Sequence, residues 1–381
     1  MTTPLGRLVS ERAIVVCCGA GGVGKTTAAA ALAVEGASQG RRTCVVTIDP
    51  AKRLADALGL EVLSNVPRQV RPDWPGELWA LMLDTRSTFD ALVERYASTS
   101  EQAERILSNR VYRNIAGALS GTQEYMAMEK LYELHETGAA GPGDGPVRFD
   151  LVVVDTPPTR NALDFVDAPR RLTRFLDNRI FQLLVRPTGA YLRAVSMATQ
   201  TFLRTVSKVV GSEVVADAVA FFQAFEGMEE GFRNRAQRVF ELLSDDSTAF
   251  VLVASPHRDA VGEGLFFSEK LAEAGIAVDG LVVNRLHPPF GGASASESAG
   301  ALRQRAASLA GTPLGALFAN LADFRQVAEG EEAQVAGLSS RMPTTPVARV
   351  PFLPADVHDI EGLRALGRSL FVEPASEEPP S

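Results

Sequence analysis

The chain has 381 residues, 46% aliphatic or aromatic and 22% charged, which is enough apolar material for a sizeable core and excludes a mainly disordered protein. Thirty-eight Lys and Arg against 46 Asp and Glu leave a formal net charge of −8, which argues against non-specific nucleic-acid binding. Three cysteines exclude a disulfide scaffold and any four-thiolate metal site within one chain. No basic leader runs into an apolar stretch at residues 1–12, and no apolar run is long enough to cross a bilayer, so the expected compartment is the cytoplasm.

In chain order, the segments Ala13–Cys18, Thr43–Ile48, Leu78–Leu83, Leu151–Val154, Ala249–Ala254 and Leu281–Val283 read as buried strands. They are β-branched, unalternating and separated by helical patterns, which predicts a doubly wound, mostly parallel α/β sheet. Residues 85–137 and 163–244 are far longer than ordinary crossovers and are expected to form an inserted helical subdomain. Within the second insertion, Tyr191–Val210 carries a broad apolar face through Val195, Phe202 and Val209, and Val214–Phe225 and Phe232–Leu243 continue amphipathically. That face suits a packing seam, a groove for a hydrophobic client or a membrane-contact surface. Gly138–Pro146 reads as a flexible linker, and residues 373–381, acidic and Pro-rich, as a disordered tail.

Directly after the first strand stands Gly19-Ala20-Gly21-Gly22-Val23-Gly24-Lys25-Thr26-Thr27, which fits the phosphate-loop pattern G-x-x-x-x-G-K-[ST] in its strand–loop–helix context. Glycines let backbone N–H groups approach phosphate oxygens, and the helix that follows aims its positive end at the same anion. Lys25 is placed to reach the β- and γ-phosphates and Thr26 to ligate Mg²⁺. Asp49 ends the second strand, facing the ligand crevice of such a sheet, where it either acts on the attacking water or caps the next helix. Asp155 ends the fourth strand, ahead of Thr156-Pro157-Pro158-Thr159, and matches the magnesium-side aspartate that acts through water. Cys17, Cys18 and Cys44 read as small buried hydrophobes, and the four histidines as structural or solvated side chains.

With these motifs in order, the chain resembles the ArsA family of the deviant Walker A class, which includes the arsenite-pump ATPase and the ATPase that targets tail-anchored membrane proteins. Asp49-Pro50-Ala51 is similar to the family's first switch and Asp155–Thr159 to its second. Val283-Asn284-Arg285 resembles the segment in which an Asn amide reads adenine. Val350-Pro351-Phe352 resembles the late loop that covers the base, and Asp359–Leu363 the helix after it. The likeness spans residues 10–371 and implies an ATPase domain using ATP and Mg²⁺. Its nucleotide-binding residues would be Gly21, Gly22, Val23, Gly24, Lys25, Thr26, Thr27, Asn284, Pro351 and Phe352. Lys25 and Asp49 would be catalytic, and Thr26 and Asp155 would hold the metal.

Val16–Gly22, Gly121–Lys130 and Asn161–Phe165 resemble an actinobacterial branch usually encoded as two dissimilar subunits. Three departures from the wider family stand out. Ala20 occupies the place of the signature lysine, the Cys-x-x-Cys zinc clasp is missing, and the arsenite-sensing thiolates have no counterpart. The resemblance therefore implies a heterodimer in which a dissimilar subunit supplies the lysine across the interface, with a hydrophobic client or transport partner. The alternative is a catalytically weak regulatory subunit. A partition or division-site ATPase fits poorly, because its usual basic C-terminal anchor is replaced here by an acidic tail. An iron–sulfur reductase lacks its cluster thiolates.

Overall fold

The computed structural model describes residues 3–49, 52–70, 74–115, 122–140, 146–157, 212–288, 290 and 297–371, together with 168, 170, 173, 174 and 177. The chain divides into two compact units, one of residues 1–82, 138–162 and 246–381, the other of residues 83–137 and 163–245.

The first unit is built on an eight-stranded sheet. Its strands are β1 (Ile14–Cys18), β2 (Arg42–Thr47), β3 (Arg68–Val70), β4 (Glu77–Met82), β7 (Leu151–Asp155), β8 (Thr248–Ala254), β9 (Gly280–Leu286) and β10 (Val347–Pro351). The short strands β5 (Ala139–Ala140) and β6 (Pro146–Val147) pair antiparallel with each other. The spatial order is β10-β9-β8-β1-β7-β2-β4-β3, parallel throughout except for the edge strand β3.

All six expected strands are present. Every residue of β1, β7 and β8 is buried, as strands covered on both faces require. Val15, Cys17, Val45, Val153, Val251 and Val253 belong to a core that includes the alanine-rich helix Lys25–Ser38 and Leu363, Leu366 and Leu370 of the helix Ile360–Phe371. The alternate residues Ile14, Val16, Cys18, Val152, Val154 and Leu252 are equally buried. Gly36 brings the helix Lys25–Ser38 down onto the sheet: a Cβ there would stand 2.7 Å from side-chain atoms of Leu151 and Thr43.

Sequence reasoning missed both edges. Strand β3 is three residues long, and β10 alternates, with Arg349 outward and a proline at its end, so neither carries the unbroken apolar run that betrays an inner strand. The two ends of the expected linker pair as β5 and β6, and residues 141–145 between them lie outside the described residues.

The second unit is helical: Thr85–Tyr96, Ser100–Ser108, Arg110–Ile115, Thr122–Tyr132, Ser212–Ala224 and Glu229–Ser244. Asp84 caps the first of these by accepting from the N–H groups of Arg86 and Ser87. Tyr112, Phe221, Phe225 and Phe232 are buried in its core. The buried Arg235 guanidinium grips Glu129 and lies 3.6 Å from the centre of the Tyr132 ring. Of the amphipathic helices expected here, Ser212–Ala224 and Glu229–Ser244 match two. The Tyr191–Val210 face lies outside the described residues. No helix among the described residues is long and apolar enough to cross a membrane.

Candidate functional site

The parallel strands β1, β7, β2, β8 and β9 all end at one edge, where an open α/β sheet forms its ligand crevice. Strand β1 stops at Cys18, and the helix Lys25–Ser38 starts seven residues on. The loop between them turns at Gly19, Gly22 and Gly24, all with positive φ. At Gly19 a side chain would meet backbone, and at Gly24 it would displace the Asn284 amide. A Cβ on Gly19 would stand 2.0 Å from the Val253 carbonyl oxygen, and one on Gly24 would stand 2.2 Å from Asn284 Nδ2. Gly24 is also the helix cap and supplies no side-chain hydrogen bond, so the first-turn N–H groups face the crevice unsatisfied by a cap. Gly21 and Gly22 are exposed at the loop tip, and buried Val23 anchors it.

Lys25 is 7% exposed, and its Nζ donates to the Ala20 carbonyl at 2.7 Å. Burial lowers its pKa, against the opposing pull of Asp155, Cys18, Asp49 and Cys17. Beside it, Thr26 Oγ1 donates to Asp155 Oδ2 at 2.7 Å. The register that pairs Asp155 with Cys17 on one side and Thr47 on the other sets this carboxylate between two strands. Thr47 Oγ1 donates to the same oxygen at 2.8 Å and accepts the Asp49 N–H at 3.2 Å. Asp155 is 1% exposed, and burial raises its pKa although the Thr26 and Thr47 hydroxyls and Lys25 all pull it down. Thr156 ties the next residue back to β1 by donating to the Cys17 carbonyl at 2.8 Å.

Asp49 lies at the end of β2 with its carboxylate 3.8 Å from Arg53. The following helix, Arg53–Ala57, has Lys52 as its N-cap, so the capping alternative for Asp49 is corrected. Cys17, Cys18 and Cys44 are buried and in no disulfide, and burial pushes the Cys17 and Cys18 thiols upward.

Two cavities flank the loop. One, about 500 Å³, is lined by Ala20, Gly21, Gly22, Val23 and Arg285, with Ser255, His257 and Glu263 opposite. The other, about 100 Å³, is lined by Gly24, Thr27, Asn284, Arg285, Pro351 and Phe352 among others. Asn284 Nδ2 donates to the Val23 carbonyl at 2.9 Å, and its Oδ1 accepts the Arg285 N–H at 3.0 Å. An amide has two hydrogens and two lone pairs, so one donor and one acceptor remain. His287 stacks on Phe352 with ring centres 5.8 Å apart, and Glu331 holds its ring nitrogen at 2.8 Å.

The structure thus brings Lys25, Thr26, Asp49 and Asp155 to one floor, and Gly24, Thr27, Asn284, Pro351 and Phe352 to one wall. Sequence reasoning gave no site role to Thr47 or His287, and took in Thr156 and Arg285 only as members of their segments. A threonine inside a β-branched strand gives no signal of its hydroxyl's partner, and the one hint for His287 is its closeness to Asn284.

A glycine loop joining a buried parallel strand to a helix, with Lys and Thr at the helix start and an Asp on the neighbouring strand, defines the P-loop nucleoside-triphosphatase fold. The sequence profile of the anion-transporting ATPases matches residues 12–303, and the chain belongs to that family. It is 29% identical to ATPase GET3B of Arabidopsis thaliana over 300 residues, covering 74% of this chain and 66% of that protein. ATPase GET3C of the same plant is 27% identical over 74% of this chain and 68% of its own length. The arsenical pump-driving ATPase of Acidiphilium multivorum is 26% identical over 71% of this chain, which spans 39% of that protein.

Proposed function

We propose that the chain is an ATP-binding and ATP-hydrolysing subunit of a dimeric ATPase, in which nucleotide-driven closure is coupled to handling a hydrophobic client or a transport partner. The observation that carries this is the 2.7 Å contact of Thr26 with the buried Asp155 carboxylate, beside Lys25 at the foot of the glycine loop. A hydroxyl and a desolvated carboxylate are hard oxygen donors, here held 2.7 Å apart, so these residues fit Mg²⁺. Thr26 would hold the ion directly and Asp155 through water. When bound, magnesium neutralises charge on the β- and γ-phosphate oxygens.

The protein's own groups supply the rest. Lys25 exchanges its Ala20 carbonyl for a phosphate oxygen. The first-turn N–H groups and the Gly21–Gly24 backbone cradle the phosphates, as they would for any anion at a helix start. Asp49 positions the attacking water, with Thr47 fixing its backbone. Asn284 offers its remaining donor and acceptor to the adenine edge, and Pro351 and Phe352 cover the base. Buried thiols in no disulfide suit a reducing compartment, the cytoplasm.

Ala20 places a methyl group where a cation would stabilise the charge that develops on the transferred phosphoryl. We infer a heterodimer in which a dissimilar subunit delivers that cation as a loop lysine. The second reading, a catalytically weak regulatory subunit, rests on the same alanine. Turnover of Mg·ATP by the isolated chain, compared with its complex with the dissimilar subunit, separates them. The expected gain in the complex is about 10³–10⁵-fold, abolished by Lys25→Ala in this chain. Turnover insensitive to Lys25→Ala assigns hydrolysis to the partner's site and leaves this chain the regulatory role. An isolated chain as fast as the complex sinks the heterodimer.

A further inference from the structure

Strand β9 carries a bulge at the nucleotide crevice. Val283 pairs with Arg349 and Leu286 with Pro351, so the ladder advances three residues on β9 for two on β10. The additional residue falls at Asn284–Arg285, and Arg285 has φ +64°, the sole positive φ among the described non-glycine residues. Such a conformation is uncommon for a side chain of this size and persists where the surroundings over-determine it, most often at functional sites.

The bulge has a consequence for direction. On a regular strand, neighbouring side chains point to opposite faces. Here Asn284 and Arg285 both line the cavity beside Gly24, Thr27 and Phe352. Arg285 alone lines that cavity and also the larger one formed by Ala20–Val23. It therefore stands between the wall read as the base pocket and the loop read as the phosphate cradle. Among the described residues no carboxylate lies within ion-pair distance of its guanidinium, although Asp259 and Glu263 line the larger cavity. The loop itself offers one cation, Lys25, against the carboxylates of Asp49 and Asp155, and Ala20 adds none. A guanidinium presents a planar fork of donors that matches phosphate oxygens.

We propose that Arg285 is a polyphosphate-binding residue, which the β9 bulge turns onto the phosphates in cis between the base wall and the glycine loop. This rests on the nucleotide reading given above.

The test is calorimetric titration of the full chain with Mg·ATP, Mg·ADP and adenosine. It compares wild type with Arg285→Gln, Arg285→Lys, Arg285→Gly and, as a control, Lys25→Ala. Arg285→Gln is expected to weaken ATP and ADP about 10- to 100-fold while leaving adenosine unchanged, and Arg285→Lys to recover part of the loss. Arg285→Gly should show the same loss without a lower thermal midpoint, since glycine adopts this φ freely, which separates a lost contact from a damaged fold. If Arg285→Gln and Arg285→Gly bind ATP as tightly as wild type while Lys25→Ala does not, Arg285 has no such role and the nucleotide reading stands. An equal loss for adenosine places Arg285 in the base wall alone and overturns the proposal. If the wild-type chain binds no ATP, the nucleotide reading itself falls.

Discussion

Replacing Thr47 by valine removes one oxygen and leaves the side chain's shape almost unchanged. That oxygen makes two contacts, donating to Asp155 Oδ2 at 2.8 Å and accepting the Asp49 N–H at 3.2 Å. Asp155 is 1% exposed, so solvent does not replace the lost donor. A hydrogen bond to a charged group is worth roughly 1.5–3 kcal/mol, and about 1.4 kcal/mol is a tenfold change in an equilibrium constant. If the ionised carboxylate carries that stabilisation, Thr47→Val pushes the Asp155 pKa further upward and raises the Mg²⁺ concentration that ATP binding requires by about 10- to 100-fold. The sign follows from proton competition. A higher carboxyl pKa makes the proton a stronger rival to the cation, so the defect should grow as pH falls and shrink as it rises. The assay is a Mg²⁺ titration of ATP binding, followed by fluorescence at neutral and mildly acidic pH. A Thr47→Val midpoint equal to wild type at both pH values would refute the argument that Thr47 governs Asp155.

Three further outcomes rest on Asp155, on Gly19 and on the Arg235–Glu129 pair. Asp155→Asn should raise the thermal midpoint at neutral pH while abolishing the Mg²⁺ response. Burial raises the folded-state pKa of this acid, so its contribution to stability falls as pH rises from the ordinary carboxylate value through the raised one, and the amide escapes that cost. A lower midpoint for Asp155→Asn in a neutral-pH melt would contradict this. Gly19→Ala drives a methyl group to 2.0 Å from a backbone oxygen and should cost roughly 2–4 kcal/mol in denaturant unfolding; a loss below the error of the measurement counts against the loop geometry. In the helical unit, Arg235→Met leaves the buried Glu129 carboxylate alone and should cost about 3–5 kcal/mol, whereas adding Glu129→Leu should restore most of it; a double variant no better than the single would show that packing, not charge, fixes the pair.

How much of this was legible in the sequence depends on whether the cause was local. The inner strands could be read because a doubly covered strand must be apolar at successive positions, as Leu151–Val154 and Ala249–Ala254 are. The glycine loop could be read because backbone approach to a phosphate forbids side chains at fixed spacings. Strand β3 is too short to show a period, and β10 alternates over only five residues and ends in proline, so neither carries an unbroken apolar run. Thr47 is invisible for another reason. Its role depends on register with Asp155, a residue more than a hundred positions away, and a threonine in a strand is otherwise unremarked. The bulge that turns Arg285 is likewise a property of two strands together, so Asn284 drew a site role and the residue after it did not.

The alanines of the helix Lys25–Ser38 limit how this protein can change. Ala28, Ala29, Ala30, Ala31 and Ala33 are all buried, with Leu32 and Val34, so the helix is enclosed around most of its circumference. A larger residue at a position that meets the sheet acts as a shim. It lifts the helix, and because Lys25 and Thr26 form its first turn, it shifts the cation and the hydroxyl relative to Asp155 on the strand beneath. Variation in this segment is therefore expected to register as altered nucleotide affinity before it registers as unfolding. A library restricted to these five positions would trace how far the first turn can rise before the phosphates are released.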